Sequence, residues 1–130
     1  MSRKHADAVA RGEADPNNET ELMRVVKHHL NVSMRCRLVR NNVGLDMEKG
    51  VRYGLGKGSP DLVGVLPSGH NFCIETKMIR GRVSDDQKAW WRSAIRWGVR
   101  GGVVKSIAGA WRCLRDAEQG ITFEELQIYE

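Results

Sequence analysis

The sequence predicts an α/β domain with one central mixed sheet flanked by helices, in the order αβββαβα. Three observations predict it. A capped helical stripe runs over 18–30. A hairpin pattern spans 62–77. A second capped helix starts at Ser84, followed by a short apolar strand and a third helical segment. At 130 residues the chain has room for a single core.

The elements follow in order. Residues 1–17 carry Gly12, Pro16 and many small or charged residues, and read as a mobile tail with at most a short helix over 6–11; the domain proper is expected over 18–130. Asn18 is placed to cap a helix, with Glu21 three residues on completing a capping box. Leu22, Val25, Val26, His29 and Leu30 form its apolar stripe. Residues 35–40 read as a strand and 41–58, with five glycines, as a long loop, a length that usually signals function. The run 62–66 is apolar and rich in β-branched residues, Pro67-Ser68-Gly69 is a turn cluster, and 71–77 reads as the returning strand. Residues 79–82 form a basic connector. Ser84 caps the second helix, Gln87 sits at its N3 position and Gly98 ends it. Residues 102–105 are a short strand, 107–117 the third helix, and 122–130 has helical or extended character. Trp90, Trp91, Ala94, Ile95 and Trp97 are expected to form one apolar arc on the second helix, opposite a basic stripe of Lys88, Arg92 and Arg96.

The net charge of +5 is unevenly spread. Residues 31–105 hold fourteen basic and six acidic groups, a net of +8, while 106–130 carry −3. Such a basic surplus points to a polyanion partner, nucleic acid first. No apolar run reaches membrane-spanning length, and the residues after Met1 lack the apolar stretch of a secretory signal. Cys36, Cys73 and Cys113 lie far apart, with no C-x-x-C spacing for zinc. An odd cysteine count without a signal fits a reduced, cytoplasmic setting.

The chemistry concentrates in the hairpin. Side chains alternate along a strand, so Cys73, Glu75 and Lys77 share one face and Phe72, Ile74 and Thr76 the other. On this reading Thr76 points away from the site, into the core. Asp61 opens the partner strand and is expected beside the end of the returning one; Pro60 before it is tolerated at a strand start. Two carboxylates and an amine converging on one point suit a centre that holds a divalent cation and cleaves a phosphodiester.

These residues carry a resemblance. Pro60-Asp61 with Glu75-Thr76-Lys77 resembles the PD-(D/E)xK nuclease motif. With Gly58-Ser59-Pro60-Asp61-Leu62-Val63-Gly64 and Ser84-Asp85-Asp86-Gln87-Lys88-Ala89-Trp90, the chain resembles the virus-type replication-repair nuclease (VRR-NUC) family over roughly 19–106. The resemblance implies a PD-(D/E)xK core and a Mg²⁺- or Mn²⁺-dependent endonuclease acting on branched DNA, four-way junctions included, with no small-molecule cofactor. It implies metal ligation by Asp61, Glu75, the Thr76 carbonyl and a carboxylate of the first helix. Glu19 falls on the Leu22/Val26/Leu30 face and Glu21 off it, which favours Glu19 without excluding Glu21. Lys77 would orient the attacking water, and Gln87 would lie near the site although it also serves the Ser84 cap. Arg40, Lys57, Arg80, Arg82, Lys88 and Arg92 are the expected DNA contacts, with Arg35, Arg37 and Arg40 an alternative path. Cutting two strands of a junction calls for a homodimer. Its interface is expected on the second helix or the N-terminal region, because four tryptophans are many for so small a core. The rival expectations are a monomeric flap or single-strand nuclease and a DNA-binding protein without catalysis.

Overall fold

The computed structural model describes residues 2–46 and 48–130. Their order is α1 (Arg3–Ala10), α2 (Glu19–Val32), β1 (Arg37–Arg40), β2 (Gly44–Asp46), β3 (Val51–Tyr53), β4 (Leu62–Val65), β5 (Asn71–Thr76), α3 (Asp85–Arg96), β6 (Arg100–Val104), α4 (Ile107–Glu118) and β7 (Ile128–Tyr129). The expected αβββαβα order is present as α2, β1, β4, β5, α3, β6 and α4. Among the described residues the main sheet has five strands in the order β1-β4-β5-β6-β7. Its β1/β4 and β4/β5 pairs are antiparallel and its β5/β6 and β6/β7 pairs parallel, so the sheet is mixed. The parallel β5/β6 pair follows from α3, which carries the chain back across the sheet.

Helices cover both faces. Leu22, Val26 and Leu30 of α2 and Ala110 and Leu114 of α4 pack with Leu38, Leu62, Phe72, Ile74 and Val104 into the main core. The alternate strand residues Cys73 and Val103 are also buried, with Trp91 and Ala94 of α3. Alternation along β5 therefore turns Glu75 away from the main core, as expected from its strand position.

Two segments differ from expectation, and a third, expected as helical or extended, is extended at its end. The N-terminal residues, read as a tail, form a helix from Arg3 that docks on α2. Val9 is 2% exposed there, with Ala6 and Ala10 packed beside it. Its alanines make a small face that close packing rewards, a feature that composition alone does not reveal. The expected loop over 41–58 contains a second hairpin, β2 paired antiparallel with β3. The C-terminal segment adds β7 to the parallel edge, where the Tyr129 hydroxyl donates to Asp116 at 2.9 Å.

The opposite edge is closed differently. Asn31 accepts from the Leu38 N–H at 2.7 Å and donates to its carbonyl at 2.8 Å. A side-chain amide thus occupies the outward backbone groups of β1, where another strand would otherwise add.

The tryptophan arc is also broken. Trp91 is fully buried, whereas Trp97 is 81% exposed. Helix α3 ends at Arg96, and Trp97 takes the cap position with φ −92° and ψ 8°, off the helical face.

Candidate active site

The hairpin register brings the first two carboxylates together. Leu62 lies opposite Ile74, so Asp61, one step outside β4, stands beside Glu75. Asp61 Oδ2 accepts two hydrogen bonds, from the Thr76 N–H at 3.0 Å and from the Thr76 hydroxyl at 2.7 Å. This corrects the expected orientation of Thr76. Its side chain is buried, but its hydroxyl is bonded to the site and fixes Asp61. The cause is that Asp61 lies past the last paired residue of β4 and can reach across the strand end to the opposite face.

Glu75 is 3% exposed, and its Oε2 is buried without a hydrogen-bond partner. Burial first, then the charge and a side-chain hydrogen bond of Asp61 and the charge of Glu19, with Lys77 opposing them, together move its carboxyl from 4.5 up to about 9. A divalent cation shared with Asp61 would supply the counter-charge that lets this carboxyl ionise. The donor set is oxygen only, which fits a hard cation such as Mg²⁺ or Mn²⁺. Among the described residues no group of three or more acidic, histidine or cysteine side chains is gathered closely enough to hold a metal by itself. A cation here would draw on Asp61 and Glu75 together with further oxygens, Glu19 lining the same cavity as Asp61.

Lys77 follows directly, and its N–H donates to the Val104 carbonyl at 3.0 Å, which extends the β5/β6 pairing one residue past Thr76. Gly81 brings the connector against the site. A Cβ at that position would lie 3.4 Å from both Glu19 Oε1 and Lys77 Cβ, so these two residues flank the same backbone. Lys105 holds the connector in place by donating to the Ile79 carbonyl at 2.9 Å.

Glu19 opens α2 and lines a cavity with Asp61 and Thr76. Glu21 is occupied elsewhere. Asn18 does cap α2, accepting from the Glu21 N–H at 2.9 Å. The Glu21 carboxylate, however, accepts from the Asn17 N–H at 2.6 Å rather than from Asn18, so the expected capping box is displaced by one residue. It also faces His5 of α1 at 3.4 Å. Of the two glutamates, Glu19 is the one beside Asp61.

Asn41 is a residue that sequence reasoning missed. Its N–H donates to the Asp61 carbonyl at 2.8 Å, and its side-chain amide donates to the Ser59 hydroxyl at 2.8 Å and to the Pro60 carbonyl at 2.9 Å. Its Oδ1 accepts from the Leu55 N–H at 3.2 Å. Four bonds thus clamp the segment that presents Asp61. The one sequence signal was an asparagine where a strand gives way to a glycine-rich segment. Asn41→Ala should cost about 1–3 kcal/mol of stability, the usual penalty for stranding buried polar groups. A thermal melt within a degree of wild type would show that the clamp is dispensable.

The other expected contacts divide. Arg40 lines the cavity beside Asp61, and Arg80 and Arg82 are exposed on either side of Gly81. Lys57 pairs with Asp86 at 3.2 Å at the start of α3. There Gly58, at φ +85°, approaches so closely that a Cβ would meet the Asp86 carbonyl oxygen at 2.3 Å. Gln87 is held in a capping box: its side chain accepts from the Ser84 N–H at 2.9 Å, and the Ser84 hydroxyl accepts from the Gln87 N–H at 3.2 Å. Lys88 and Arg92 are not brought to the site. They line a groove with Glu124 and Glu125, whose charges compete with any phosphate there. Arg35 is paired with Glu118 and lies over Trp111 at 5.6 Å, which spends it structurally. No helix among the described residues is long and apolar enough to cross a membrane.

A family model described as the VRR-NUC domain matches residues 5–108, from α1 into the start of α4. No curated protein sequence matches the chain.

Proposed function

The chain belongs to the VRR-NUC family of the PD-(D/E)xK nuclease superfamily, and from that premise we propose that it is a Mg²⁺- or Mn²⁺-dependent, structure-selective DNA endonuclease that resolves four-way junctions as a homodimer. The observation that carries the metal reading is the buried, unpartnered Oε2 of Glu75 beside Asp61. Asp61, Glu75, the Thr76 carbonyl and Glu19 are the oxygens that would hold the cation. The cation would supply a nucleophilic water and neutralise charge on the phosphate.

The chain's own residues do the rest. Thr76 and Asn41 fix Asp61. Lys77, on the same strand face as Glu75, orients water and faces charge developing on the phosphorane oxygens. Arg40, Arg80 and Arg82 bind flanking phosphates without reading bases, which suits recognition by shape. Gln87 contributes through the α3 N-terminus, whose positive end favours phosphate, rather than by its committed side chain.

A four-way junction has two-fold symmetry and one such domain has one centre, so paired cuts call for two copies. Trp97, exposed at the end of α3, is the indole left over for that contact. The N-terminal region is a weaker choice, because α1 spends Val9 on its own core.

The deciding experiment is cleavage of linear, nicked, flap and four-way DNAs with Mg²⁺, Mn²⁺ or chelator, with sedimentation of the free and bound protein. Metal-dependent symmetric nicking of the four-way DNA by a dimer is expected. Cleavage of flaps alone by a monomer would replace this reading with the flap-nuclease one, and binding without cleavage would leave a DNA-binding protein.

Arg80→Glu with Arg82→Glu should weaken binding of every DNA sequence alike and reduce the salt slope by about 1 per lost phosphate contact. An unchanged slope would move the DNA path away from the connector.

A further inference from the structure

The cavity beside Asp61 has a volume of about 560 Å³. Its walls come from the first turns of α2, with Thr20 and Met23, and from the end of β1, with Arg40, Asn42 and Val43. A groove for a duplex backbone needs a rim, not a pit of this size. Stacked bases in a duplex are turned inward, so a paired strand would present only its phosphates to this space and no base. A nucleotide that has left the stack can enter.

The lining chemistry suits such a guest. Val43, 41% exposed, offers an apolar surface for the face of a base, above a floor that includes the buried Met23. The side chains of Thr20, Arg40 and Asn42 make no hydrogen bond among the described residues, so their donors and acceptors are available to a base edge or a phosphate. Asn41 and Ser59, in the same wall, are already spent on each other and on the backbone.

We propose that this cavity receives one unpaired nucleotide of the cleaved strand, next to the scissile phosphate, and that this is what makes the enzyme select branched over continuous duplex DNA. The proposal rests on the nuclease reading above. It adds to it the substrate feature that is recognised: a nucleotide free to unstack, rather than the branch geometry alone.

The test measures affinity by fluorescence anisotropy in Ca²⁺, for a fully paired duplex and for the same duplex carrying one unpaired thymidine. Wild type is expected to favour the second DNA by about tenfold or more, the scale of one base–protein contact set. Asn42→Trp and Thr20→Trp, both at exposed positions, fill the pit and should bring the ratio close to one while melting near wild type. Equal wild-type affinities, or a preference that survives both substitutions, would overturn the proposal. In that event cutting of both DNAs with Mg²⁺ or Mn²⁺ would leave the nuclease reading standing. Absence of any cut in either metal would overturn that reading and the proposal with it. Should neither variant fold, the wild-type ratio decides.

Discussion

Lys77→Ala is expected to lower cleavage by about 10²–10³-fold while DNA binding and thermal stability stay near wild type. That is the scale of losing one aligned charge or donor from the transition state. The reason is local. Lys77 shares the strand face of Glu75, lies just past the paired end of β5, and is half-buried against the Gly81 backbone, so its ammonium contributes little to the core. Asp61→Asn should be at least as damaging to cleavage, because it removes the proposed cation ligand while keeping an acceptor for Thr76. Single-turnover cleavage at saturating protein separates the chemical step from binding. Near wild-type rates in either variant would remove that residue from the catalytic assignment. A loss that appears only in KM would make Lys77 a phosphate-binding residue instead.

The second large effect is on stability, and its direction is opposite to that of most substitutions at a buried position. In the metal-free protein Glu75→Gln should be stabilising at neutral pH, on the order of 2 kcal/mol. The Glu75 carboxyl titrates near 4.5 in the unfolded chain and is pushed up to about 9 by burial and by Asp61. Below pH 4.5 both states hold the proton and nothing is lost. Between 4.5 and about 9 the unfolded chain releases it while the folded chain keeps it, so stability falls as pH rises through that window. Above it the loss is complete. A glutamine has no such proton. Melts in chelator from pH 5 to pH 8 should therefore show wild type declining relative to the variant, with the gap widest at the alkaline end. Parallel profiles would mean that the carboxyl is already compensated in the absence of metal. The same variant should lose cleavage, so one substitution separates the cost of building the site from its use.

That opposition explains why the site sits where it does. A buried carboxyl without a partner is a local conflict with the fold, and such conflicts concentrate at functional positions. The surrounding bonds hold it in place: Thr76 on Asp61, Asn41 on the 55–61 segment, and Lys105 on the connector. The first two fix Asp61 and the segment that presents it, and the third fixes the connector beside it.

The sequence by itself determined the order of the core elements and the membership of the Asp61, Glu75 and Lys77 group. Both depend on local rules: two-residue alternation along a strand, a turn cluster between two apolar runs, and caps at Asn18 and Ser84. It also put Glu19 on the face that leads to the site. Only the tertiary structure decided the rest. That Glu19 lines the cavity while Glu21 engages Asn17 and His5 is one part of it, and His5 lies sixteen positions before Glu21 on another helix. The docking of α1, the Thr76 hydroxyl on Asp61, the Asn41 clamp and the separation of Lys88 and Arg92 from the site all depend on residues distant in sequence or on geometry past a strand end. Periodicity records which face a residue is on. It does not record what stands opposite that face, because that is fixed by packing between elements and not by the spacing within one.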